Sequence, residues 1–110
     1  MNKAKDLARL SQITQLILDL KLADLRKAAA KRQHSLDLLA GLNHAPVVTD
    51  VSLLAAHQVD LRYRQWADAR RAEINLLLAR QTADTHLARD AAGHAFGKDQ
   101  ALRSIKAKLR

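Results

Sequence analysis

The chain contains a single proline, Pro46, and the long stretch before it, from Lys3 to Ala40, has neither proline nor glycine. Both residues interrupt helices, proline by removing a backbone donor and clashing with the preceding turn, glycine by its conformational freedom. In that stretch Leu7, Leu18, Leu22, Leu25, Ala29, Leu36 and Leu39 recur at helical spacings. Ile13, Ile17 and Leu20 fit a second register, as in a stutter or a helix buried on more than one side. The spacing therefore predicts a first helix over about residues 3–40.

Gly41 is placed to end that helix in a left-handed conformation, and Pro46 stands where a helix cannot easily resume. The loop is read as about 41–49. Thr49 can cap the next helix, with Val48 and Leu53 placed as a hydrophobic staple and Asp50 at the positive end of the dipole. A second helix follows over about 50–109. Its seam is read as Leu53, Ala56, Asp60, Tyr63, Ala67, Arg70, Ile74, Leu77, Gln81, Asp84, Ala88, Ala91, Ala95, Lys98, Leu102, Ile105 and Leu109. Gly93 and Gly97 allow a bend at 93–97, or a fold-back of the tail as a third helix.

The fold class expected is all-α: one domain of two long helices in an antiparallel coiled-coil hairpin, the second helix longer. With 110 residues and an apolar content drawn from Leu, Ala, Ile and Val, helix seams are favoured over a cavity-bearing core. If residues equidistant from Pro46 face each other, the start of the first helix meets Ala83 to Ala88. The second helix then overhangs at its C-terminal end by about 20 residues, or about 30 Å.

Little in the chain suggests catalysis. It has one Glu and no Cys, and none of the nucleophile-elbow, phosphate-loop or zinc-protease patterns. His86, Asp90 and His94 stack at i, i+4 and i+8 but lack a fourth ligand, so they are read as solvated. No enzyme activity, cofactor or metal is expected. No stretch is long and apolar enough to span a membrane and no signal sequence is evident, so the expected location is cytoplasmic, with peripheral association at an inner membrane allowed.

A net charge of +8 suggests anionic partners. Arg26, Lys27, Lys31 and Arg32 of the first helix, with Arg62 and Arg64, form a candidate basic patch or an ordinary solvated face. Tyr63 and Trp66 are expected to pack inward while nearby arginines point to water. The strongest candidate partner-binding set is the presumed overhang: Phe96, Lys98, Leu102, Arg103, Ile105, Lys106 and Leu109. These residues combine an apolar stripe with cations, and nothing in the expected pairing covers the stripe.

The run Ala91, Ala92, Gly93, His94, Ala95, Phe96, Gly97, Lys98, then Ala101, Leu102, Ile105 and Leu109, resembles the end of FliJ-type proteins of the bacterial flagellar export apparatus. Trp66, Ala69, Arg70, Arg71, Ile74, Asn75 and Leu78 to Arg80 add to the likeness. The resemblance implies a cytoplasmic coiled-coil adaptor or stalk of type III protein export that binds a hexameric export ATPase and a membrane export-gate component. The alternative is a basic nucleic-acid-associated or general scaffolding helical protein. Homo-oligomerisation is compatible with either.

Overall fold

A computed structural model describes residues 2–44 and 52–109. The described residues form two helices, α1 (Lys3–Gly41) and α2 (Leu53–Lys108), in an all-α hairpin. The second helix is the longer, with 56 residues against 39. Thr49, Val48, Pro46 and Asp50, on which the expected cap, staple and restart depend, lie outside the described residues. The cap seen at the start of α2 is Ser52, whose Oγ accepts from Ala55 N at 3.2 Å while its carbonyl accepts from Ala56 N at 2.9 Å.

α1 closes without a left-handed glycine. Gly41 is its last helical residue, and its φ lies outside the left-handed region. The end is tightened by short-range bonds from Leu42 N to Leu39 O, Asn43 N to Ala40 O and His44 N to Gly41 O, at 3.2, 3.2 and 3.3 Å. α2 runs unbroken through Gly93 and Gly97, so the tail does not turn back as a third helix. A glycine costs helix stability but does not break a helix whose other residues favour it.

Contacts divide the chain into two compact units: Met1–Ala30 with Ala83–Arg110, and Lys31–Thr82. In the second unit, Leu42, Ala67 and Ile74 form a buried cluster, with Leu39 and Tyr63 packed on it. Removing a side chain such as Ile74 from water contributes about 1.5–3 kcal/mol. The helices run antiparallel here: Arg32 Nε donates to Thr82 Oγ1 at 3.0 Å, Ser35 Oγ to Gln81 Oε1 at 2.6 Å, and Arg71 to the Leu42 carbonyl at 3.1 Å. Leu42 therefore stands beside Arg71, and the first turns of α2 extend past the end of α1, with Leu53 88% and Leu54 70% exposed.

The first unit places the beginning of α1 against the end of α2. Leu18, Ala92, Ala95 and Leu102 are buried, together with Thr85 and Asp99. Thr14 Oγ1 lies 3.2 Å from Asp99 Oδ1 and 3.0 Å from the Ser11 carbonyl, sharing its single hydrogen between them. The expected C-terminal overhang is thus corrected. Pairing by equal distance from Pro46 would set the start of α1 beside Ala83 to Ala88, whereas Thr14 meets Asp99 and Arg32 meets Thr82, a register moved toward the C-terminus of α2.

The seam of α2 also differs from the expected one in alternate positions. Ala67, Ile74, Ala95 and Leu102 are buried as expected. Between them the helix covers Arg71, Leu78, Thr85, Ala92, Asp99 and Lys106, while Arg70, Leu77, Asp84, Lys98 and Ile105 are exposed and Ala91 is half-buried. At about 100° per residue, the two choices sit about 50° to either side of the shared line, so periodicity alone cannot separate them.

Candidate functional site

The residues expected to bind a partner are divided by this register. Leu102 is buried within the first unit, at 7% exposure. Arg103 is held in place, its Nε donating to Asp99 Oδ2 at 2.9 Å and its second guanidinium nitrogen to Gln15 Oε1 at 2.9 Å. Lys106 is half-buried and lines a hollow with Ala8, Ser11, Gln12, Gln15 and Leu16. Phe96, Ile105 and Leu109 remain open, at 54%, 49% and 61% exposure, and Lys98 is exposed as well.

A second exposed apolar set lies on α1. Its paired side follows Leu7, Ser11, Thr14, Leu18, Lys21, Leu25 and Ala28, an alternation of three and four residues that is buried or half-buried throughout. Leu10, Ile13, Leu16, Ile17 and Leu20 point elsewhere and are 45–68% exposed. They sit at helical spacings within one broad face, so they form a stripe and not scattered single residues. The second register seen in the sequence is therefore an outward face. Ile13, Ile17 and Leu20 carry its signal in the sequence, and their exposure excludes the alternative of a helix buried there on more than one side.

One edge of this stripe borders a groove between the helices. It is lined by Thr14, Ile17 and Lys21 from α1 and by Ala91, His94, Ala95 and Lys98 from α2. Small residues at Ala91 and Ala95 keep its floor low. Residues seven apart share a helical face, so Leu10 continues the Ile17 edge and Ile105 the Lys98 edge. Asp99 lies in the seam at 2% exposure, with one hydrogen bond accepted at each carboxylate oxygen.

The aromatic pair lies in the second unit. Tyr63 is half-buried, its hydroxyl 3.3 Å from the Leu42 carbonyl and 3.2 Å from that of His44. Trp66 is 56% exposed, contrary to the inward packing expected of it, with its ring centroid 5.8 Å from that of Tyr63. The arginines around it are largely neutralised: Arg64 pairs with Asp60, Arg70 with Glu73 and Arg71 with Asp68. Exposed pairs of this kind add little to stability, but they leave a modest local field.

Among the described residues, no group of three His, Asp or Glu side chains converges as a metal site would require, and no helix is long and apolar enough to cross a membrane. No family model, curated protein or solved structure matches this chain.

Proposed function

We propose that this chain is a non-catalytic helical-hairpin adaptor that docks protein partners through the outward face of α1. The observation that carries the reading is the stripe Leu10, Ile13, Leu16, Ile17 and Leu20, left exposed by a helix that already has a complete pairing side. Burying such side chains against a partner contributes about 1.5–3 kcal/mol each before association costs. A contiguous exposed stripe is the usual mark of a docking surface.

The sharper form of this reading is a stalk or escort of bacterial flagellar, type III, protein export that contacts the export ATPase and export gate. Its support is the resemblance of the Ala91–Leu109 and Trp66–Arg80 segments to FliJ-type proteins, together with the two-helix plan. A basic nucleic-acid-associated role draws on the exposed Trp66 and on Arg62, which makes no ion pair among the described residues. The pairing of Arg64, Arg70 and Arg71 with Asp60, Glu73 and Asp68 in the same stretch of α2 weighs against it.

The export reading is tested by sedimenting the purified chain with the export ATPase encoded in the same genome. Co-sedimentation should be lost in the variant Ile13→Asp with Leu20→Asp while its melting temperature is kept. Absence of binding by the unaltered chain contradicts the export role.

A further inference from the structure

We infer that the groove beside Ile17 receives an acidic amphipathic helix. This rests on the adaptor reading and specifies the chemistry of the partner. The floor of the groove is small and apolar at Ala91 and Ala95, which allows a helix to approach closely. Ile17 forms one wall at 45% exposure, and Lys21 and Lys98 stand at the rim.

Charge selects the occupant. Among the described residues every ion pair is made by an arginine, and neither Lys21 nor Lys98 has an acidic partner. Two unpaired ammonium groups flanking an apolar groove match a helix that carries Leu or Ile on one face and Glu or Asp beside it. A second copy of this chain fits poorly, because it carries the same cations and a net charge of +8. Nucleic acid would satisfy the lysines but leave Leu10, Ile13 and Ile17 against phosphates. A bilayer surface is broad and would not use a groove with a low, narrow floor.

The test uses the full chain and labelled peptides of about three heptads, with Leu at the buried positions and either Glu or Lys flanking them. Fluorescence anisotropy should show the Glu peptide binding at least about tenfold more tightly than the Lys peptide, a preference that shrinks as salt is raised. Ile17→Asp should abolish binding without lowering the melting temperature. Lys98→Glu should reduce the preference, and Lys98→Glu with Lys21→Glu should reverse it.

Equal binding of both peptides, still lost in Ile17→Asp, overturns the acidic partner and leaves the adaptor reading intact. Concentration-dependent dimers abolished by Ile17→Asp would assign the groove to a second copy and overturn the inference. So would binding to phosphatidylserine vesicles that Ile17→Asp removes while neither peptide binds. Binding of neither peptide overturns the inference on its own, and if the ATPase also fails to co-sediment the export role falls with it.

Discussion

The hydroxyl of Thr14 lies 3.2 Å from a carboxylate oxygen of Asp99, so the beginning of α1 is fixed beside the end of α2. Asp99 is almost fully buried and receives a second, charge-assisted bond from Arg103. A buried carboxylate is tolerated where its partners are supplied, and sliding of α2 would keep Arg103 beside Asp99 but remove Thr14.

Asp99→Ala should therefore lower the unfolding free energy by about 1–3 kcal/mol in urea titration. The double variant with Thr14→Val should cost less than the sum of the two single changes, because both remove the same contact. Full additivity would mean that the two residues do not meet.

Truncation after Gly97 removes Asp99, Leu102 and Arg103 together. Leu102 is a buried core residue, and its loss alone is of the order of 2–5 kcal/mol. The melting temperature should fall clearly. An unchanged melt would restore the unpaired tail expected from counting residues outward from Pro46.

Gly93 and Gly97 lie within α2, and a Cβ added at either meets nothing within 4 Å. Gly93→Ala and Gly97→Ala should each stabilise the chain by about 0.5–1 kcal/mol, measured by thermal or urea unfolding. Destabilisation by either would indicate that α2 needs to bend there.

The second unit depends on its small apolar cluster. Ile74, 2% exposed, packs with Leu42 and Ala67. Ile74→Ala should cost about 2–5 kcal/mol, whereas Leu77→Ala, at an exposed neighbour, should cost much less. Equal costs would favour the seam through Leu77.

The contrast between Leu77 and Leu78 also shows what could be read in advance. Two long helices are legible because the one proline, Pro46, stands between two stretches of helical periodicity, the first of them free of glycine up to Gly41. Their register is not, since Leu77 and Leu78, or Ala91 and Ala92, are equivalent on apolarity and differ only in which side of a shared line they occupy. At the end of α2 apolarity misleads, because the exposed Ile105 is the obvious seam residue while the half-buried one is Lys106, and the buried position before Leu102 belongs to Asp99, whose partners are Thr14 of α1 and Arg103 one turn on. Of the residues expected at the surface, Lys98 and Ile105 are exposed and Leu102 is not. The second register through Ile13, Ile17 and Leu20 is visible in the sequence, but sequence alone does not say which of two apolar registers is paired.

The docking face itself is tested most directly by a photo-crosslinking residue introduced in living cells. Placed at Ile13 or Leu20, outward on α1, it should yield a discrete adduct with another protein; placed at Asp19, on a different side of the same helix, it should yield little. Adducts of equal strength from Asp19, or none from Ile13 and Leu20 in a chain that is folded and expressed, would contradict a partner on this face.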